Sequence, residues 1–347
     1  MKPSFPLFES PPRPLASSAG IRAVDAMMLR LAVGERVDLA GHIVSESLRT
    51  GGKRLRARLA FACGDALGLP LETLIPWASA CEMLHNATLV HDDVQDGDRF
   101  RRGHPTVWAR YGAGQAINAG DLMLMLPFMA VGEIDAGPTA RARLYSAVAQ
   151  AAAQTVRGQS EEMDLPNRDE VRWEQWVEAA EGKSGALLGL PVQGAAILAG
   201  LDDRSARAMY SAFSRAGVLY QLQDDLLDLS LEKGKARRAS DVREGKVSAL
   251  VVAHLELHPS EAADTFALLR SPARRADEAA IEAFIERLFQ GGAVAWVQEQ
   301  VENAARSVLE DPTLRAVPEL AGVAGDLVAH VQRAASEIGA LAHGSAA

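Results

Sequence analysis

Two clusters of aspartates are the residues of this sequence best suited to chemistry. The first lies at residues 92–96 and the second at residues 224–228, and both have the pattern D-D-x-x-D. Each cluster follows apolar residues at helical spacing, and carboxylates on an apolar helix are costly to bury unless a cation pairs with them. Two such clusters in one chain therefore predict a shared cation and, with it, a binding site.

The ligand types in the clusters indicate which metal would fit. Residues i and i+4 of a helix share a face, so Asp92 and Asp96 point the same way, and Asp224 and Asp228 do likewise. Although His91 adjoins the first cluster, no histidine or cysteine adjoins the second, and this set of hard oxygens favours Mg²⁺ over zinc or iron. Since Mg²⁺ is commonly shared with substrate phosphates, the predicted ligand is a diphosphate bridged to the aspartates by metal.

Basic residues accompany both clusters. Arg101 and Arg102 follow the first cluster, Lys183 and Lys246 flank the second, and the segment G-G-K-R-L-R at residues 51–56 lies upstream. Arginine and lysine that are not paired with carboxylates are suited to holding phosphate. The two glycines of the upstream segment would let the backbone turn closely around an anion, which suggests a second anion site without metal.

The elements that must position these residues are helices. Apolar residues recur at three- and four-residue spacing from about residue 20 onward, and no stretch shows sustained strand alternation. Glycine and proline breaks divide the chain into roughly ten to thirteen helices with short connections. The predicted fold is all-α, a single large helical bundle over residues 19–341, between a flexible proline-rich tail at residues 1–18 and a short tail at residues 342–347.

Composition excludes several classes of protein. The net charge of −9 argues against nucleic acid as a partner. Two cysteines, Cys63 and Cys81, are too few for a disulfide framework in 347 residues, which favours the cytoplasm. The N-terminus has no apolar core typical of a signal peptide. The longest apolar run, residues 185–201, is interrupted by polar residues, so we expect a buried core helix and no transmembrane segment.

Six stretches of the chain, in order, resemble the trans-isoprenyl diphosphate synthases, the polyprenyl synthetase family, and most resemble its geranylgeranyl diphosphate synthases. They are GGKRLRARL (51–59), HNATLVHDDVQDGDRFRRGHPT (85–106), GQSEEMD (158–164), KSGAL (183–187), YQLQDDLLD (220–228) and SDVREGK (240–246). The resemblance implies an all-α, homodimeric fold with a deep central cavity. It also implies Mg²⁺-dependent head-to-tail condensation of isopentenyl diphosphate with an allylic diphosphate (dimethylallyl, geranyl or farnesyl), by ionisation, condensation and elimination.

The resemblance also implies a role for individual residues. The positions that match direct Mg²⁺ ligands are Asp92, Asp96 and Asp224, with about three metal ions per site and Mn²⁺ as a substitute. The aspartates that would act from behind these ligands or through water are Asp93, Asp225 and Asp228. The residues that would hold the allylic diphosphate are Arg101, Lys183, Gln221 and Lys246. Those that would hold isopentenyl diphosphate are Lys53, Arg56, His85 and Arg102. Ser184 and Gln221 would present oxygen dipoles to the allylic cation.

Three positions depart from the family pattern. Ser184 stands where the family usually has threonine, which keeps the hydroxyl, and Tyr220 stands where phenylalanine is usual. The basic loop at residues 233–240 is longer than the common pattern and leaves the role of Lys235 open.

Product length depends on the apolar tunnel expected beneath the first cluster. Ala87 and Thr88 lie about one helical turn before Asp92, and neither is bulky, whereas members that stop at fifteen carbons often carry an aromatic residue there. The sequence therefore predicts a twenty-carbon product, geranylgeranyl diphosphate, and a shorter product for Ala87→Phe. Farnesyl diphosphate and longer polyprenyl chains are the alternatives. Further candidate floors, some of which could equally be ordinary core, are Met83, Leu84, Met123, Met125 and Phe128.

Other functions stay open at this stage. A terpene cyclase or a head-to-head synthase would share the bundle but would not need Lys53 and Arg56. A regulatory subunit without activity is possible in this family, although this chain keeps both clusters. A di-metal redox bundle needs two Glu-x-x-His pairs, and only Glu82 and His85 supply one.

Overall fold

The computed structural model describes residues 18–35, 38–229 and 238–344. The expected N-terminal tail therefore lies outside the described residues except for its last position, Ser18, which begins the first helix. Lys235 and most of the basic loop also lie outside them. Of the expected C-terminal tail, residues 342–344 belong to the last helix and the rest is not described.

The described part of the chain is almost entirely helical, which confirms the predicted all-α class. Its helices are α1 (Ser18–Val33), α2 (Leu39–Arg49), α3 (Leu55–Ala66), α4 (Leu71–Asp96), α5 (Val107–Tyr111), α6 (Ala113–Gly132), α7 (Pro138–Asp164), α8 (Trp173–Ala180), α9 (Ala186–Leu198), α10 (Asp203–Asp228), α11 (Ser240–Glu244), α12 (Ala249–Leu257), α13 (Ala262–Arg270), α14 (Pro272–Arg275), α15 (Glu278–Gln290), α16 (Ala293–Leu309), α17 (Pro312–Arg315) and α18 (Pro318–Gly344). Four of them, α5, α11, α14 and α17, are single turns, too short for apolar periodicity to detect, and the fourteen that remain are close to the ten to thirteen expected.

Helix α9 forms the centre of the bundle. Nearly every residue of this helix is buried, as expected for the apolar run that contains it, and it packs against α3, α4, α7 and α10. Gly194 gives room to the Trp77 indole of α4, since a Cβ there would lie 1.9 Å from the ring. The indole Nε1 donates to the Pro191 carbonyl at 2.9 Å, so the polar atom of this buried tryptophan has a partner on α9. No helix among the described residues is long and apolar enough to cross a membrane.

Helices α4 and α10 carry the aspartate clusters at their C-terminal ends. Each has 26 residues and is about 39 Å long, and neither has a basic residue in its last turn. The C-terminal end of a helix carries partial negative charge, so acidic residues there are destabilised. Both helices therefore end in a concentration of negative charge that requires cations from elsewhere in the fold.

A small hairpin supplies two of those cations. Strands β1 (Phe100–Arg101) and β2 (His104–Pro105) pair antiparallel just after α4. Arg102 and Gly103 form the turn with φ of 53° and 78°, the positive values that a tight two-residue hairpin turn needs. Strand alternation over two residues is too short to detect in the sequence, so this hairpin was not expected.

Candidate active site

The ends of α4 and α10 border one cavity of about 880 Å³. Its lining includes Asp92 and Asp96 from α4 and Asp224, Asp225 and Asp228 from α10. Two clusters that are far apart in the sequence therefore meet in a single site, because the fold brings the C-terminal ends of both helices to the same place.

Burial divides the aspartates of each cluster. Asp93, Asp225 and Asp228 are only 4%, 3% and 5% exposed, whereas Asp92 and Asp96 are partly buried and Asp224 is exposed. The Asp93 carboxylate accepts a hydrogen bond from Arg101 Nε at 2.6 Å. The residues expected to bind metal directly are thus the ones most accessible from the cavity, and the deeper aspartates contact protein.

The environment of the carboxylates favours a bound cation. Burial raises the pKa of Asp92 to about 6, an effect that Lys183 opposes and Asp96 reinforces. Burial likewise raises the pKa of Asp93 to about 6 against the opposing charge of Arg101. A raised pKa means that the ionised carboxylate is destabilised where it lies, and a divalent cation would restore that form.

The carboxylates fit Mg²⁺ in donor type. In the described ranges, no three acidic, histidine or cysteine side chains already form a group that could hold a metal ion. Mg²⁺ is usually held by one or two carboxylates together with substrate phosphates, and carboxylates on two walls of a cavity suit such sharing.

Lys246 links the end of α4 to α11. Its Nζ lies 2.9 Å from Asp96 Oδ2 and 2.9 Å from Glu244 Oε2. Burial lowers the pKa of this ammonium, but Asp96 and Glu244 outweigh burial and raise it well above its usual value. The side chain is therefore a fixed positive charge beside the proposed metal ligands.

Lys183 and Ser184 lie on a π-helical segment, Glu181–Gly185, between α8 and α9. This segment packs between glycines of two other helices. A Cβ on Gly158 of α7 would lie 2.2 Å from the Lys183 backbone nitrogen, and one on Gly217 of α10 would lie 2.3 Å from the Gly185 Cα. π-helical segments are rare and frequent at functional sites, and here the close packing fixes where both side chains enter the cavity.

The contacts of these two side chains join three helices at the site. Lys183 Nζ donates to Glu162 of α7, and the pKa of Lys183 is raised because Glu162 and Asp92 outweigh its burial. Ser184 Oγ donates to Gln221 Oε1 at 3.2 Å. Glu162 lies in the GQSEEMD stretch, so this part of the motif carries the counter-charge of a site lysine.

A second group of basic side chains lines the cavity apart from the aspartates. Within the described structure, Arg56 Nε and His85 Nδ1 are buried and have no hydrogen-bond partner. Burial lowers the pKa of both groups, and the charges of Arg56 and Arg102 lower that of His85 further. Arg102 also lines the cavity and donates to the Gly51 carbonyl, which joins the hairpin to the upstream glycine loop. Buried donors without acceptors are costly, so this group is suited to an anion.

Other predicted residues fall at the edge of this group or outside it. Lys53 is exposed and does not line the cavity. Arg54, which no prediction used, is buried with φ of 50° and donates to Asp25 at 2.7 Å and to the Leu48 carbonyl at 3.0 Å. Glu82 accepts from the Ala57 backbone nitrogen at 3.0 Å, so it supports the start of α3.

The apolar end of the cavity differs from the expected tunnel. Thr88 and Leu84 line it, whereas Ala87 and Met83 are fully buried and do not. The reason is helical rotation. Thr88 and Leu84 are four and eight residues before Asp92 and share its face, but a step of five residues turns about 140° away.

Residues of three other helices complete this end, and sequence reasoning missed them. They are Leu124 of α6, Ala152 and Val156 of α7, and Leu187 of α9. The expected floor residues Met123, Met125 and Phe128 do not line the cavity, because Met123 faces the core, Met125 is exposed and Phe128 packs beside Tyr145. The four-residue spacing of Ala152 and Val156, and of Lys183 and Leu187, was the available signal.

Known proteins resemble this chain in sequence. The sequence profile of the family described as polyprenyl synthetase matches residues 37–288. A geranylgeranyl pyrophosphate synthase of Geoglobus acetivorans is 34% identical over 283 residues, which cover 79% of this chain and 86% of that protein. A (2E,6E)-farnesyl diphosphate synthase of Mycobacterium tuberculosis is 38% identical over 179 residues, which cover 51% of this chain and 49% of that protein.

The fold agrees with these sequence matches. The solved structure of the geranylgeranyl pyrophosphate synthetase from Geoglobus acetivorans superposes with a TM-score of 0.78 and 29% identity, covering 90% of this chain and 98% of that chain. The match to the family extends over more than half of the chain, and it includes both aspartate clusters and the basic residues around them. This chain is a prenyltransferase and belongs to the polyprenyl synthetase family.

Proposed function

We propose that this prenyltransferase condenses isopentenyl diphosphate head-to-tail with an allylic diphosphate to give geranylgeranyl diphosphate. The observation that carries the proposal is the division of one cavity into two charged parts. One part holds the acidic ends of α4 and α10, and the other holds the unpartnered donors of Arg56 and His85. A single-substrate cyclase would need only the first part.

The acidic part would bind the allylic diphosphate. Asp92, Asp96 and Asp224 would hold about three Mg²⁺ ions, with Mn²⁺ as a substitute that accepts the same oxygen ligands. The bound metal would neutralise the negative charge that develops on the leaving diphosphate. Arg101, Lys183 and Lys246 line the same space and would add fixed positive charge, which is most effective in a site shielded from water. Gln221 would complete this set.

The basic part would bind isopentenyl diphosphate through Arg56, His85 and Arg102, with Lys53 at the outer edge of the loop. Ser184 and Gln221 line the same cavity, so their oxygens would be available to the allylic cation. Such positioning lowers the barrier without requiring a protein nucleophile. The departing diphosphate would accept the final proton.

Purified protein with Mg²⁺, isopentenyl diphosphate and farnesyl diphosphate tests the whole proposal. We expect elongation of farnesyl diphosphate and a dominant twenty-carbon product on chromatographic analysis. A dominant fifteen-carbon product would favour the alternative of a farnesyl diphosphate synthase, and products beyond twenty carbons would favour a longer-chain synthase. Absence of any elongation by the chain on its own would favour a regulatory subunit of a heteromeric synthase.

We also propose that the enzyme is a homodimer. Ile117, Met125 and Met129 are 48%, 55% and 51% exposed on one side of α6, and Val156 of the adjoining helix α7 is 59% exposed. Exposed apolar surface of this kind is typical of protein interfaces. Val156 also lines the cavity, so a second copy that covers this surface would close the apolar end of the site.

Light scattering of wild-type protein and of Met125→Lys tests the dimer. We expect twice the monomer mass for the wild type and a shift toward monomer for the variant. Leu309→Lys, which alters an exposed leucine on α16 outside this surface, should leave the mass unchanged. A wild-type monomer would contradict the proposal. A cytoplasmic location is our further expectation, supported by two buried free thiols, Cys63 and Cys81.

A further inference from the structure

The chain segment that carries Lys246 is held at both ends by aspartates of the second cluster. At its start, the Asp228 carboxylate accepts from Ser240 Oγ and from the Asp241 backbone nitrogen at 2.9 Å. At its end, Asp225 Oδ2 accepts from the Ala249 backbone nitrogen at 2.7 Å. Two carboxylates of α10 thus anchor the beginnings of α11 and α12, and the segment between them has little freedom to move.

The contacts between the two anchors fix the position of Lys246. Its backbone nitrogen donates to the Asp241 carbonyl at 2.8 Å. The preceding Gly245 has φ of 85°, and a Cβ there would lie 2.6 Å from the Leu269 carbonyl oxygen, so the segment follows a path that only glycine allows. From this base, the Lys246 ammonium reaches Asp96 on the opposite wall at 2.9 Å. The place of that charge therefore depends on the anchors.

Asp225 has a second contact that fixes a different side chain. Its Oδ1 accepts from Gln221 Nε2 at 2.9 Å, one helical turn earlier in α10. The amide therefore presents its nitrogen to Asp225 and its oxygen to the other side. That oxygen accepts from Ser184 at the cavity wall. Asp225 thereby determines which end of the Gln221 amide faces the reacting groups.

We propose that Asp225 and Asp228 are positioning residues, which fix the Lys246 segment and orient the Gln221 amide, rather than members of the metal site. Both are buried, and both oxygens of each carboxylate accept hydrogen bonds from protein donors. All three aspartates of the second cluster line the cavity, but only Asp224 is exposed, and it would then supply the metal contact. This inference rests on the proposed roles of Lys246 and Gln221 in holding the allylic diphosphate.

Asparagine variants separate positioning from metal binding. We would measure kcat, the KM for the allylic diphosphate and the Mg²⁺ concentration for half-maximal rate in Asp228→Asn, Asp225→Asn and Asp224→Asn. We expect Asp228→Asn to raise the allylic KM about tenfold, and Asp225→Asn to lower kcat about tenfold, each with the Mg²⁺ requirement changed less than about twofold. Asp224→Asn should instead raise the Mg²⁺ requirement by about tenfold or more.

A double-mutant cycle tests whether Asp228 acts through Lys246. In a Lys246→Met background, the KM for the allylic diphosphate should rise by less than about twofold when Asp228→Asn is added. The reason is that the Lys246 charge, which Asp228 positions, is already gone. Ser240→Ala removes the hydrogen bond from Ser240 to Asp228 and leaves the aspartate cluster unchanged. It should therefore reproduce part of the rise in allylic KM that we expect for Asp228→Asn. Asp202→Asn, at the N-terminal cap of α10 away from the cavity, is the matched control and should change neither KM nor the Mg²⁺ requirement. Thermal unfolding would show that each variant is folded.

Three results would overturn the inference in distinguishable ways. If Asp228→Asn raises the Mg²⁺ requirement as much as Asp224→Asn, Asp228 belongs to the metal site. If Lys246→Met raises the allylic KM but the two changes are fully additive, Asp228 does not act through Lys246, while the proposed function stands. If Lys246→Met leaves the allylic KM unchanged, the role proposed for Lys246 is wrong and the inference falls with it.

Discussion

At the residue scale, burial separates side chains that the sequence presents as equivalent. Three of the six aspartates are buried and contact protein groups, although Asp225 and Asp228 among them also line the cavity, and the other three are more exposed. The basic residues divide in a similar way. Arg54 is committed to Asp25 and a carbonyl, whereas the neighbouring Arg56 has a buried Nε without a partner among the described residues. The type of residue was readable from the sequence, but its availability for a ligand was not.

We expect Arg56→Gln to weaken the binding of isopentenyl diphosphate and not that of the allylic diphosphate. A charge-assisted hydrogen bond to a phosphate is worth about 1.5–3 kcal/mol, so the KM for isopentenyl diphosphate should rise about 10- to 100-fold. The KM for the allylic diphosphate should change less than about twofold, since that substrate occupies the acidic part of the cavity. Arg49→Gln, an exposed arginine on α2, serves as the control in steady-state kinetics. Equal increases in both KM values would contradict separate binding sites.

Thr88 and Ala87 give a sharper test of the apolar end of the cavity. Thr88→Phe places an aromatic ring in the cavity, so we expect the main product to shorten from twenty to fifteen carbons. Ala87→Phe instead overpacks a fully buried position and should cost about 1–3 kcal/mol of unfolding free energy without shortening the product. Product chromatography and urea unfolding distinguish the two. A shorter product from Ala87→Phe alone would mean that the chain runs along another face of α4.

At the element scale, close packing of backbones sets the geometry of the site. The π-helical segment that carries Lys183 and Ser184 fits between α7 and α10 because Gly158 and Gly217 have no Cβ. A propensity argument treats these glycines as weak points of their helices, since glycine is less favourable than alanine there. The contacts show the opposite, because a side chain at either position would displace the segment.

Gly158→Ala should therefore be destabilising and should impair catalysis. The new Cβ would overlap the Lys183 backbone nitrogen, so we expect a loss of about 2 kcal/mol of unfolding free energy and a kcat about tenfold lower. Gly114→Ala on α6 is a matched control, because a Cβ at that position would have no neighbouring atom within 4 Å, and it should be neutral or slightly stabilising. A Gly158→Ala enzyme with unchanged stability and rate would refute this packing argument.

At the scale of the whole molecule, the part of the chain after Lys246 packs behind the site. It contributes Val247 and Ser248 to the lining of the cavity. Helices α16 and α18 pack against α10, and α12 packs against α8 and α16. The sequence of this part carries no motif, yet two of its helices pack along α10, which carries the second cluster. The region also buries His254, whose ring is 1% exposed and lies edge-on against Phe284 of α15.

Acid should destabilise the molecule through His254. Burial lowers the pKa of this histidine, Glu261 opposes that effect, and His258 and Arg287 reinforce it. Because the folded protein binds this proton less readily than the unfolded chain, the stabilising contribution is complete above the usual histidine pKa of about 6.5 and falls at lower pH. In urea unfolding at pH 7.5 and 5.5, the free energy of unfolding should depend less on pH for His254→Leu than for wild type. His42→Gln, at an exposed position on α2, should behave as wild type. If His254→Leu has the same pH dependence as wild type, His254 is not the source of the acid destabilisation.

The sequence by itself determined the helical class, the identity of the buried helix α9, the oxygen ligands that favour Mg²⁺ and the family, because periodicity and residue chemistry are local properties of the chain. The tertiary structure decided which of the six aspartates are buried against protein groups, which residues of α6, α7 and α9 complete the apolar end of the cavity, and that glycines of two helices hold the Lys183 segment. These features depend on helix rotation and on contacts between residues far apart in the chain. A spacing rule cannot supply them, since the same pattern of letters is compatible with several packings of the helices around it.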